Sequence, residues 1–190
     1  NYKMHLQQWV GLAQLVYVLP KWDLFTAVEY SSTQYQREGL YRNGLFPMRS
    51  FGLSEKDWFK NWQIKSGITY KINGRNYAYL HTMFSSKPPL ANDIYLSPRV
   101  SAIKHPAIEN ESFQMLELGY ILNAPSLRIQ FNGYYHQTGN AMDVMSFYHD
   151  GYRNLVNYAL SNISTKALGL ELSASLELYG GFSLSSAISL

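Results

Sequence analysis

The sequence predicts an all-β chain, an antiparallel up-and-down sheet of about eight strands that forms the wall of a transmembrane β-barrel. Three observations carry this. Side chains alternate between apolar and polar along run after run, as a strand with one apolar and one polar face requires. Very short turns alternate strictly with long connections, which in an up-and-down sheet gathers the tight turns at one end and the long loops at the other. Aromatic residues make up 15% of the chain, sixteen of them Tyr, and equal the charged share. Rings with an apolar body and a polar tip suit a membrane–water interface.

The strands follow in order. KMHLQQWVGLAQLVYVL puts Met4, Leu6, Val10, Leu12, Val16 and Val18 in one row, interrupted by Gln8 and Gln14, and turns at Pro20-Lys21 into WDLFTAVEYSSTQY. In WQIKSGITYKI, Trp62, Ile64, Ile68, Tyr70 and Ile72 oppose Gln63, Lys65, Thr69 and Lys71. Asn73-Gly74 then gives the strongest short hairpin signal, and RNYAYLHTMF returns. MLELGYIL presents Leu116, Leu118, Tyr120 and Leu122 on one face; after a turn over residues 123–126, LRIQFNGYY sets Leu127, Ile129, Phe131 and Tyr135 against Arg128, Gln130 and Asn132. Last comes ALGLELSASLELYGGFSLSSAISL, with Leu168, Leu170, Leu172, Leu176 and Leu178 on one face, Glu171, Ser173, Ser175 and Glu177 on the other, and Gly180-Gly181 to turn the chain.

Between the tight turns lie three stretches read as long loops, residues 36–57, 85–111 and 137–153, rich in Tyr, Arg and Pro. Loops of that length are usually functional or disordered, and their aromatic content argues against disorder. Tyr41, Arg42, Arg49, Tyr95, Arg99, Tyr148, His149 and Tyr152 are the candidate ligand-binding residues, because aromatic planes stack on rings and Arg grips carboxylate or phosphate with two hydrogen bonds. Loop-to-loop packing is the plain alternative for all eight. Glu117, Arg128, Glu171 and Glu177 sit on the polar faces of strands whose other faces are apolar, so they are expected to line a lumen.

Composition narrows the function. A net charge of +3 with scattered basic residues does not describe a nucleic-acid partner. Without cysteine there is no disulfide or thiolate site, and no apolar run approaches the roughly 18 residues of a membrane helix. His5, His81, His105, His136 and His149 show no metal-ligand spacing, and the sequence has no HExxH, GxSxG, phosphate loop or dinucleotide fingerprint. We therefore expect neither an enzyme nor a bound cofactor or metal. Sequons at Asn110 and Asn162 are read as accidental in a bacterial barrel. The neighbourhood of Asn1 already reads as a strand, so the start is taken as processed or internal to a longer protein.

Taken together, WQIKSGITYKINGRNY, YLSPRV and DVMSFYHDGYRNLVNY, with GLEL at 169–172, resemble the barrel of TonB-dependent outer-membrane receptors, especially the type with a carboxypeptidase-like regulatory domain at the N-terminus. The likeness runs from about Trp9 to Leu178; KPP at 87–89 and SPRV at 97–100 depart slightly from the family's loop pattern. It implies a barrel of about 22 strands around a plug, of which residues 1–190 are one part, with the plug domain and TonB box absent from this chain and Leu190 falling in mid-strand. It also implies a bacterial outer-membrane location, import of a scarce solute (siderophore, glycan, cobalamin or peptide), and three partners: outer-membrane lipid, the TonB energy-coupling complex acting through the absent parts, and a surface lipoprotein. Two other classes remain open. A soluble β-rich binding module would bury the leucine faces in a sandwich core, and a small adhesin or enzyme would close as a barrel from these strands alone.

Overall fold

A computed structural model describes residues 1–42 and 46–190. It contains β1 (Tyr2–Val18), β2 (Trp22–Gly39), a single helical turn α1 (Pro47–Ser50), the short β3 (Gly52–Leu53), β4 (Asp57–Lys71), β5 (Asn76–Lys87), β6 (Glu111–Asn123), β7 (Leu127–His149), β8 (Asn154–Glu177) and β9 (Ser183–Ser189). All lie in one antiparallel sheet of order β1-β2-β4-β5-β6-β7-β8-β9, with β3 paired to β2. The chain is thus all-β and up-and-down. Within the described residues the path does not return to β1, so β1 and β9 are free edges and the sheet is open. Nor does a second sheet cover the leucine face, as a sandwich would require: Leu168 is 82% exposed.

Register fixes which side chains share a face. Leu118 lies opposite Leu80 and Gly133, and Phe131 opposite Tyr120 and Leu172, with Leu172 in turn opposite Ile188. On the outer face of β2 and β4, the Trp22 and Tyr70 rings pack tilted against each other with centroids 4.5 Å apart, and those of Tyr30 and Trp62 at 4.6 Å. Leu24, Thr26 and Val28 face outward between them on β2, beside Ile68, Ser66 and Ile64 on β4, and none is charged. The two aromatic pairs are eight residues apart on each strand, a separation of about 26 Å at roughly 3.3 Å per residue. An apolar band of about 25 Å edged by aromatic girdles is the outer surface of a membrane barrel.

The tight turns fall where expected, by varied means. Gly180 and Gly181 have φ of 80° and 82°, a conformation open to glycine, and the amide of Leu178 donates to the carbonyl of Phe182 at 2.7 Å. Asn73-Gly74 works differently. Neither residue has positive φ; the Asn73 side-chain oxygen accepts from the amides of Arg75 and Asn76 at 2.9 and 3.0 Å and builds the turn itself.

Two expectations are corrected. In β1 the even-numbered row faces inward, since Leu12 pairs with Glu29 and Val16 with Phe25, while Trp9, Ala13, Leu15 and Tyr17 share the outer face with Ser32, Val28, Thr26 and Leu24. Both faces of β1 are apolar, so alternation alone could not orient it. Residues 137–153 are not a long loop. β7 and β8 continue as a ladder to His149–Asn154, passing two register shifts at which Asn140 and Asn162 take φ of 56° and 57°. Bulges re-aim the strands, and the hairpin extends beyond the membrane band on the loop side.

Candidate functional site

On the loop side, the connection from Lys87 to Glu111 folds back over the inner face of the sheet. Its apolar residues supply the reason. Ile94 and Tyr95 are fully buried against Tyr35 of β2 and Phe59 of β4, with Met4, Ala91, Ala102 and Ile108 packed around them. The segment makes its own small hairpin: Leu96 donates to Ile103, His105 to Ile94, and Tyr95 bridges Lys104. This is the chief apolar cluster of the described residues, and it lies outside the membrane band.

Polar contacts lock it in place. The Tyr95 hydroxyl is 3.1 Å from both Ser54 Oγ and Asp57 Oδ2, and Lys104 Nζ donates to Asp57 Oδ1 at 2.5 Å. Burial pushes the Tyr95 hydroxyl pKa up, and the neighbouring carboxylate adds to this. The bond to Asp57 raises Lys104 above its ordinary value. Arg37, 1% exposed, donates from Nε to the Pro98 carbonyl at 2.6 Å and from its terminal nitrogen to the Ser50 carbonyl at 3.1 Å. One guanidinium therefore ties β2 to α1 and to the SPRV turn, where Val100 and Ser101 donate back to Ser97. Asn157 of β8 completes the frame by donating to the Leu96 carbonyl at 2.6 Å.

Between this folded loop and the outer part of the β7–β8 hairpin opens a cleft of about 800 Å³, lined by Asp93, Leu96, Arg99, Val144, Leu155 and Asn157 among others. Arg99 and Asp93 both stand in its walls, and burial, then the charges of Asp143 and Glu111, raise the Asp93 carboxyl above its ordinary value. A second recess of about 540 Å³ lies beside Arg49, Phe51 and Ile103.

The eight loop candidates divide among five places. Arg99 lines the main cleft and Arg49 the second recess. Tyr41 and Arg42 are exposed, with the Arg42 guanidinium 5.8 Å from the Phe51 ring centroid. Tyr148, His149 and Tyr152 sit at the tip of the β7–β8 hairpin, where the His149 ring lies 4.6 Å from that of Tyr152. Tyr95 is fully buried and packs beneath the loop, at the border of the main cleft. Arg37, Asp57, Asp93, Lys104 and Asn157 were not singled out by the sequence; an Arg within an otherwise polar strand run, QREG, was the available hint for Arg37.

The four inner-face candidates share the face opposite the leucines, as the alternation implied. Glu117 accepts from the Tyr79 hydroxyl at 2.7 Å, Gln130 donates to that same hydroxyl at 3.2 Å, and Asn132 donates to Glu171 at 3.3 Å. Arg128 and Glu177 stand opposite Ser175 and Ser183 near the tight turns.

No family model matches the chain, and no curated sequence matches it. Among solved structures it is similar to the copper transporter OprC, with a TM-score of 0.70 at 15% identity over 97% of this chain and 29% of that one. At that identity the likeness shows the fold alone. The chain spans less than a third of that transporter's length.

Proposed function

We propose that the chain is one segment of the barrel wall of a TonB-dependent outer-membrane transporter, and that its folded loop and β7–β8 hairpin form part of the outer surface that captures a scarce solute. One observation carries the reading: an open up-and-down sheet whose outer face, on β2 and β4, has two aromatic pairs eight residues apart with an uncharged apolar stretch between them. The solute belongs to the siderophore, glycan, cobalamin or peptide class. Arg99 and Asp93 are the groups to meet it in the cleft. Glu117, Arg128, Glu171 and Glu177 line the lumen, and the wall catalyses nothing. Energy reaches the transporter through its plug and TonB box, and a surface lipoprotein delivers solute from outside.

The test is the mass of the native protein that carries this sequence, extracted from membranes with detergent and mapped by peptide mass spectrometry. A membrane species several-fold larger than 21.8 kDa, with peptides on both sides of this segment, is expected. A membrane species near 21.8 kDa would leave no room for a plug, and recovery from the soluble fraction would remove the barrel.

A further inference from the structure

An up-and-down barrel gathers its tight turns at one end, so outward residues equally far from those turns lie at about one depth. Trp9 is nine residues from Val18, Tyr30 eight from Trp22, Trp62 nine from Lys71, Phe84 eight from Asn76 and Tyr135 eight from Leu127, all on the outer face. The Tyr30–Trp62 pair is therefore part of a loop-side aromatic belt that runs from β1 to β7. From the tight turns up to that belt, the outward positions of the strands carry no charged side chain.

The first outward charges above the belt are both cations. Lys60 of β4 is eleven residues from Lys71, and Lys166 of β8 is eleven from Glu177. Both are exposed, and neither ammonium has an ion-pair or hydrogen-bond partner among the described residues. Between them, nine to eleven residues from their own turn ends, the outer face presents Ser86, Ser112, Gln114 and Gln137. Gln137 accepts from the Tyr135 hydroxyl at 2.9 Å, which leaves its amide nitrogen as a donor. The acids nearby are already engaged. Glu111 is held by Lys87 at 2.8 Å on the inner face, and Glu38, higher on β2, by His5 at 2.7 Å. The row is thus two free cations joined by neutral hydrogen-bonding groups, directly above the aromatic belt on the lipid side.

We propose that Lys60 and Lys166 hold the two phosphates of a bisphosphorylated glycolipid in the leaflet on the loop side, its headgroup lying across the outer face of β4 to β8. Four strand spacings and an offset of four residues in register put the two lysines roughly 20–25 Å apart. One phosphate cannot bridge that span. A headgroup with a phosphate at each end can, and the sugar hydroxyls between would meet Ser86, Gln114 and Gln137. Lysine binds phosphate as a point charge, and its flexible stem lies along apolar surface while the ammonium reaches the headgroup. The acyl chains then cover the uncharged band below the belt. This site rests on the outer-membrane reading above and adds to it the lipid and the leaflet.

The experiment is native mass spectrometry of the purified protein that carries this chain, in detergent, titrated with a bisphosphorylated glucosamine-disaccharide lipid and separately with the same lipid stripped of phosphate. Wild type is compared with Lys60→Gln, Lys166→Gln, the double variant, and Lys65→Gln, which removes one charge from the inner face of β4. Wild type should bind the phosphorylated lipid at least tenfold more tightly than the stripped one, a comparison that depends on no variant. Each outer lysine variant should weaken binding about fivefold and the double variant at least tenfold, whereas Lys65→Gln should match wild type. Equal affinity for the two lipids, wild-type binding by the double variant, an equal loss in Lys65→Gln, or displacement of the lipid by an equal concentration of inorganic phosphate would each overturn the site and leave the barrel standing. Recovery of the protein from the soluble fraction would remove the barrel, and the site with it.

Discussion

Lys104, Asp57 and Tyr95 meet in one small polar cluster under the folded loop, and the energetics of that cluster decide how firmly the loop is held. The Lys104 side chain is 34% exposed and that of Asp57 14%, so their pair is neither a surface contact nor a fully buried one. Lys104→Met should loosen the loop by about 1–2 kcal/mol, less than the roughly 3–5 of a fully buried pair that loses a partner. Faster limited proteolysis between Lys87 and Glu111, with the strands intact, is the readout. The pH dependence follows from the sign of the shift. Lys104 is raised above 10.5, so its contribution is complete below 10.5 and is lost only as pH rises through the higher folded value. Asp93 behaves oppositely. Its pKa is raised from 3.8 by burial, so the ionised carboxylate costs stability at neutral pH. Asp93→Asn should slow proteolysis of the loop at pH 7, and the gain should shrink to nothing as pH falls from the raised value to 3.8; a gain that persists in acid would remove that account.

Facing is the property that matters at the scale of the strand. Leu172 lies in an outward row with Phe131 and Ile188, while Ser173 shares the inward face with Gln130 and Ala187. Leu172→Arg should cost about 2–4 kcal/mol in lipid and reduce assembly, scored by heat-modifiable migration, whereas Ser173→Arg should leave it nearly intact. Equal losses would remove the facing assignment. Inward-facing glycines make a second prediction. A Cβ on Gly119 would come within 2.2 Å of the Tyr79 ring, so Gly119→Ala should destabilise by about 1–3 kcal/mol, and Tyr79→Ala in the same chain should recover part of that loss. The strands from Trp62 to Tyr135 and from Leu168 to Glu177 were legible in the sequence because one face is apolar and the other is mostly polar, which writes period two into the residues. β1 was legible as a strand but not in its orientation, because Val10, Leu12 and Val16 face inward while Trp9, Leu15 and Tyr17 face outward. Residues 143–149 and 154–160 pair above the membrane band with aromatic residues on both faces and bulges below them, so DVMSFYH carried the composition of a loop and the pairing of a strand. The cleft was legible through Tyr95 and Arg99, which lie in the run 92–100 that forms one wall; the opposite wall, with Val144, Leu155 and Asn157, comes from residues far away in sequence.

For the whole molecule, the open sheet is the decisive feature. β1 offers an unpaired edge along 17 residues and β9 along seven, and a sheet in lipid must satisfy such edges by closure or by further strands. Eight strands are enough to close a narrow barrel with a filled interior, so strand number does not choose between the two outcomes; the distance between the edges does. These 190 residues contain no cysteine, so that distance is measurable with pairs introduced into them. Ser175→Cys with Ser185→Cys spans directly opposed residues whose hydroxyl oxygens are 3.1 Å apart, and should oxidise to a disulfide in good yield. Gln8→Cys or Gln14→Cys in β1 with Ser185→Cys in β9 joins the two free edges, and should stay reduced if further strands stand between them, because a disulfide needs Cα atoms within about 7 Å. Efficient oxidation of an edge pair would mean that β1 and β9 are neighbours. The protein would then be a narrow closed barrel, the inward row Val10, Leu12, Val16 would be its packing core rather than a wall facing a plug, and the transport reading would fall with it.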